Sequence, residues 1–144
     1  MNIPVPEPGL VIRYVYLWKR EADSGRDEGS KDRPCAVVLA FEDKTRRRVL
    51  VLPIAHSMPQ PPQVGIEIPQ SLGKRLALDA ARSWVIVSEA NLFLWPGPDL
   101  RPISDQHPGT VAYGFLPPRF FNMVRKSYIA LARAGRVLIV ERSA

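Results

Sequence analysis

The chain predicts a mainly β domain: a small, strongly bent barrel with one late amphipathic helix closing an end. Three observations carry this. Apolar residues come in short runs broken by turn-forming residues, with fifteen prolines and nine glycines. Only one segment, Arg119–Arg133, repeats its apolar residues at helical spacing. The length of 144 residues suits a single domain, 1–144, which buries roughly 68–70% of its unfolded surface without covalent staples.

After a proline-rich start, Leu10–Trp18 reads as a strand, in which Val11, Arg13, Val15 and Leu17 alternate with Ile12, Tyr14, Tyr16 and Trp18. Residues 19–32 are polar, contain Gly25 and Gly29, and predict an exposed mobile loop. A loop of that length in a compact domain is usually functional or disordered. Ala36–Glu42 and Arg48–Ile54 then pair as an antiparallel hairpin over the turn Asp43-Lys44-Thr45. Met58–Gln63 is proline-dense and cannot join a central strand, because proline lacks the ladder donor. Gly65–Ile68 alternates as a short strand, and Ser71–Leu76 predicts a helical turn capped by Ser71.

Ser83–Val87 predicts a further strand, followed by the short run Leu92–Trp95. Pro96-Gly97-Pro98-Asp99 makes a hard turn, and the chain up to Tyr113 reads as irregular. Pro117 and Pro118 precede the helix, where proline suits the first turn, and Phe120, Val124, Tyr128 and Leu131 line its inner face. Gly135 ends the helix, and Val137–Val140 supplies a last strand. Short strands, long connections and a closing helix together describe an SH3-like barrel or a near relative.

Composition narrows the function classes. A single cysteine, Cys35, excludes a disulfide framework and fits a reducing cytoplasmic setting. It lies in an apolar run and is expected to pack as a small hydrophobe. The N-terminus has neither a basic nor an apolar signal region, and no apolar run approaches the roughly 18 residues of a membrane span. The net charge is +6, with basic clusters at Lys44–Arg48, at Lys74-Arg75 and along Arg119, Arg125, Lys126 and Arg133. Such an excess attracts polyanions or an acidic protein. Two histidines and one cysteine, with no paired carboxylate motif, predict no metal site, and His107 reads as incidental. No glycine-rich phosphate loop joins a strand to a helix, so no cofactor and no nucleoside-triphosphate chemistry are expected.

The candidate chemistry lies at the two ends of the hairpin. Lys31-Asp32-Arg33-Pro34 leads into the first strand, and Pro53-Ile54-Ala55-His56-Ser57 closes the second. Antiparallel pairing sets the start of one beside the end of the other. Arg33 offers a fixed fork of charged donors for a phosphate. His56, with an unperturbed pKa of about 6.5, moves protons near neutrality. Ser57 is the candidate phosphate contact. Trp18 is a candidate base-stacking surface, and Lys19, Arg20, Arg26 and Lys31 are candidate backbone contacts for single-stranded RNA. The plainer alternatives are a surface ion pair of Arg33 with Asp32 or Glu67, a turn histidine, and a serine that satisfies local backbone groups. For the aromatic face of the first strand, the plainer alternative is core packing.

The arrangement resembles the PemK/MazF family of toxins from bacterial toxin–antitoxin pairs. The features that carry the likeness are the strand after Gly9, the polar loop leading to Lys31-Asp32-Arg33-Pro34 and the strand Ala36–Leu39. Leu52-Pro53-Ile54, the segment Leu76–Ser88, the phrase Trp95-Pro96-Gly97-Pro98-Asp99-Leu100-Arg101-Pro102 and the helix at 119–133 complete it. The resemblance spans about residues 9–134. It implies an SH3-like barrel that dimerises, cuts single-stranded mRNA without metal, leaves 2′,3′-cyclic phosphate and 5′-hydroxyl ends, and is restrained by an acidic antitoxin. It gives Arg33 a catalytic role. The family's threonine at the end of the next strand is replaced here by Ala55. That departure leaves open a catalytically weakened module that binds RNA, DNA or an antitoxin without turnover.

Overall fold

Eight strands and three helices follow one another in the computed structural model, which describes residues 1–78 and 81–142. They begin with β1 (Leu10–Tyr14), α1 (Lys19–Asp23), β2 (Arg33–Asp43), β3 (Arg46–Ala55) and β4 (Gly65–Glu67). Then come α2 (Gln70–Arg75), β5 (Trp84–Ile86), β6 (Glu89–Leu94), β7 (Ala112–Phe115), α3 (Pro118–Arg133) and β8 (Leu138–Glu141). The chain is therefore mainly β, with its long helix near the C-terminus. Positions 79 and 80, within the segment expected to resemble the family's strand, and positions 143 and 144, at the end of the expected domain, lie outside the described residues.

The strands form one sheet in the order β4-β5-β3-β2-β1-β7, with β6 paired to β3 and β8 paired in parallel to β6. The hairpin β2–β3 is its centre, in antiparallel register from Cys35↔Pro53 to Asp43↔Arg46. Along its other edge β3 changes partner. Residues 48–51 pair with β6 and residues 54–55 with β5. A strand shared in this way turns the sheet, and the register shift between Val37 and Leu39 adds twist to β2.

Both faces of the sheet are buried, which explains why β2 and β3 read as near-continuous apolar runs. Val11, Ala36, Val38, Leu50, Leu52 and Ile54 enter one cluster, where Phe120, Phe121, Val124 and Tyr128 of α3 cover them. Ile12, Tyr14, Cys35, Val37, Val49 and Val51 enter the other, beside Tyr16, Trp18 and Phe93. Helix α3, like most helices in proteins, draws its stability mainly from packing one amphipathic face. Its four buried side chains, each worth roughly 1.5–3 kcal/mol when fully buried, hold it on the sheet.

Four expectations change. The first strand stops at Tyr14 rather than Trp18, because residues 15–18 find substitutes for a neighbouring strand. Val15 N–H donates to the Asp99 carbonyl at 2.9 Å. The Asn91 amide accepts from Leu17 N–H at 2.9 Å and donates to the Leu17 carbonyl at 2.8 Å, which mimics a ladder pair. The loop at 19–32 contains α1, whose first turn is fixed by Trp18 N–H donating to Glu21 at 3.0 Å. Ser71 does not cap α2, which starts after Pro69 without a side-chain capping bond. Ala112 and Tyr113, read as irregular, begin β7, while the segment before them is irregular as expected and is held against β1: Arg101 N–H donates to the Arg13 carbonyl at 3.0 Å, and Arg13 N–H donates to the Val111 carbonyl at 2.8 Å.

Candidate active site

Arg33 opens β2 and Ala55 closes β3. Carried two residues past Cys35↔Pro53, the register sets Arg33 opposite Ala55, with His56 one step beyond. Arg33 and His56 line one small cleft of about 120 Å³, together with Arg13, Lys31, Asp32, Pro34 and Tyr113. The two residues singled out from sequence therefore share a surface. Ser57 is exposed and is not among the lining residues.

The cleft is electrostatically uneven. Arg13 Nε donates to Asp32 at 2.8 Å and its Nη1 donates to the Tyr113 hydroxyl at 2.7 Å. Burial opposes the Arg13 charge, but these bonds outweigh it and raise its pKa. The Arg13 bond in the same way holds the Asp32 carboxyl below its ordinary value, against a smaller effect of burial. Arg13 and Asp32 thus neutralise one another.

Arg33 stands differently. Neither expected ion pair forms, because Asp32 serves Arg13 and Glu67 holds Arg82 at 2.9 and 3.0 Å. The Arg33 Nε is buried with no hydrogen-bond partner, and its Cζ lies 5.0 Å from the Trp18 ring centre. Burial pulls its pKa below the ordinary arginine value. A cation that no carboxylate neutralises gains more from an incoming anion than one already paired.

The other candidates divide. Lys31 is exposed and lines the cleft. Lys19 pairs with Asp23 at 3.0 Å and Arg26 with Glu21 at 3.2 Å, both within the α1 loop. Arg20 lies over Trp18 at 4.9 Å. Trp18 does not offer a stacking surface for a base: it is 4% exposed, covered by two guanidiniums and set edge-on to Tyr16 at 5.0 Å. Tyr14 and Tyr16 are core residues as well.

Two cleft residues escaped sequence reasoning. Arg13 did carry a signal, as the one charge in an otherwise buried strand. Tyr113 carried none, because it belongs to a segment without periodicity. A second groove of about 420 Å³ shares Arg13 and Asp32 with the first and continues past Arg101, Ser104 and Gln106. The small cleft has room for one phosphate group, and the groove beside it has room for more of a nucleotide.

Glu89 anchors the start of α1. It is 7% exposed and accepts from Lys19 N–H at 2.8 Å and the Tyr16 hydroxyl at 3.1 Å. Burial raises its pKa. A carboxyl with a raised folded-state pKa loses stability as pH climbs from its unfolded value through its folded one. Glu89→Gln should therefore gain on the wild type across that window, with the melting-temperature difference growing as pH rises above the ordinary glutamate range. Parallel curves across that window would show that Glu89 does not titrate in this way.

Among the described residues no group of three or more His, Cys, Asp and Glu side chains is placed to hold a metal ion, and no helix is long and apolar enough to cross a membrane. No family model, no curated protein and no solved structure matches the chain.

Proposed function

We propose that this chain is a PemK/MazF-like endoribonuclease, on an SH3-like barrel, that cleaves single-stranded RNA without metal. The observation that carries the proposal is the cleft shared by Arg33 and His56, two groups far apart in sequence whose chemistries complement each other on a phosphodiester. In this reading the Arg33 fork binds the phosphoryl oxygens and stabilises charge as it builds there. His56 takes the proton of the 2′-hydroxyl, whose oxygen attacks phosphorus. The P–O bond to the 5′-oxygen breaks, and the Lys31 ammonium returns a proton to that leaving group. The products are a 2′,3′-cyclic phosphate and a 5′-hydroxyl. Ala55 brings no hydroxyl to the phosphate, whereas Tyr113 brings one from β7. Homodimerisation and restraint by an acidic antitoxin belong to the same proposal.

The test is incubation of purified protein with labelled single-stranded RNA in EDTA between pH 5 and 9. Cleavage is expected, with a rising limb in its pH profile that disappears in His56→Gln along with about 10²–10⁴-fold of the rate. An unchanged pH profile in that variant removes His56 from the mechanism. The absence of the threonine hydroxyl at Ala55 favours one second reading, a module that binds RNA without turnover. Restored cleavage in Ala55→Thr of an otherwise inert protein selects it.

A further inference from the structure

We infer that the outer face of α3, extended by the end of α2, is a track for the phosphate backbone of RNA outside the cleft. Between Asp105 and Glu141 the chain has no acidic residue, yet it carries Arg119, Arg125, Lys126, Arg133 and Arg136. All five are exposed. Every ion pair among the described residues draws its cation from elsewhere. Lys74 and Arg75 of α2 are also exposed, and α2 packs Leu72 and Leu76 into the same core cluster that α3 covers. These seven cations exceed the net charge of +6, so the rest of the molecule is close to balanced. The excess positive charge of this protein is concentrated on α2, on α3 and in the turn that follows α3.

Spacing and shape select the ligand. Arg119, Lys126 and Arg133 recur every seven residues, a near-straight stripe with about 10.5 Å between successive charges. Ala130 and, past the helix end, Ala134 are exposed beside the stripe and leave its C-terminal half low enough for a sugar–phosphate chain to lie close. A helix lying on a membrane needs bulky apolar residues on the face that meets lipid. Here Phe120 and Phe121 are buried, and Met123 is the large apolar side chain exposed on α3. A protein partner would need a cluster of aromatic or aliphatic anchors at the centre of its footprint, and this face offers Met123 alone. Unpaired, regularly spaced charge on a low surface fits a phosphodiester backbone read without regard to base. Naming the strand as RNA rests on the proposed nuclease reading; the track itself does not.

The experiment measures binding of a fluorescein-labelled 20-nucleotide oligouridylate by anisotropy across a KCl series, using the full chain. In Arg119→Gln/Lys126→Gln/Arg133→Gln the slope of log affinity against log salt should fall by about 2, from three lost contacts at roughly 0.7 each. Affinity at 0.1 M salt should drop on the order of 100-fold, while kcat at saturating RNA stays unchanged. Arg119→Lys/Arg133→Lys should keep the wild-type slope, and circular dichroism should show the helix retained in both variants. An unchanged slope in the triple variant overturns the inference. So does tighter wild-type binding to phosphatidylserine vesicles or to a polyglutamate peptide than to the RNA. Arg33→Ala separates the two proposals. If it cleaves normally while the triple variant still loses slope, the nuclease reading fails and the track stands; if it stops cleaving while the triple variant binds normally, the track alone fails.

Discussion

Arg33→Met should abolish most RNA cleavage while leaving the protein at least as stable as the wild type. The activity loss follows from the loss of a charge-stabilising fork at the phosphate, a contribution on the order of 10²–10³-fold in kcat. The stability expectation has a separate cause. In the folded protein the Arg33 Nε is buried without a partner, and burial disfavours its charge. An unmet buried donor costs about 1–3 kcal/mol. The stacking of the guanidinium on Trp18 at 5.0 Å offsets about 0.5–2 kcal/mol of this. Methionine keeps much of the volume and the contact with the ring, and it removes the unmet donor. Thermal melts and single-turnover cleavage on the same sample check both halves. A residue kept only for structure would show the opposite pattern, lower stability with cleavage intact.

Arg142→Ala should have the largest effect on stability. The Arg142 side chain is 5% exposed and pairs with Asp99 at 2.8 Å. Its Nη1 also donates to the Val15 carbonyl at 2.8 Å, the Tyr14 hydroxyl at 3.1 Å and the Asn91 amide oxygen at 3.3 Å. One guanidinium therefore ties the end of β8 to the extended stretch after β1, to β6 and to the turn containing Asp99. Removing it strands Asp99 without its cation, a change that costs about 3–5 kcal/mol when a buried pair is broken from one side. For a domain of this size the melting temperature should fall by about 10–20 °C. Lysine cannot reach several acceptors as a planar fork does, so Arg142→Lys should recover little of the loss. Asp99→Leu/Arg142→Met should recover more, because neither charge is left buried alone. A loss of under about 1 kcal/mol in Arg142→Ala, measured by denaturant melts, would show that the network is ornamental.

What the sequence revealed depended on whether a residue's role was local. The hairpin was legible because two apolar runs of strand-forming residues flank a polar turn at Lys44, whose φ is 62°, whereas its register was not, because the shift between Val37 and Leu39 moves the pairing by one residue before it reaches the site. Helix α3 was legible because Phe120, Val124 and Tyr128 recur on one face. Arg33 and His56 could be brought to one edge by antiparallel pairing alone. The roles of Asp32, Asp99 and Arg142 could not be read, since each depends on a partner far along the chain. Trp18 misled for a related reason. Nothing local indicates that Arg20 and Arg33 close over its ring. The stretch from Pro96 to His107 lacks periodicity, yet it is fixed through Asp99 and Leu100, the latter bridged to Tyr14.

The most direct test of the nuclease account is the chemistry of the cut ends. Wild-type protein is incubated in EDTA with a single-stranded RNA, and the fragments are mapped by mass. In-line attack by the 2′-hydroxyl predicts an upstream fragment ending in a 2′,3′-cyclic phosphate and a downstream fragment beginning with a 5′-hydroxyl, with a 2′-deoxy substitution at the cut position blocking scission. Intact RNA, or fragments carrying 3′-hydroxyl and 5′-phosphate ends, would contradict it.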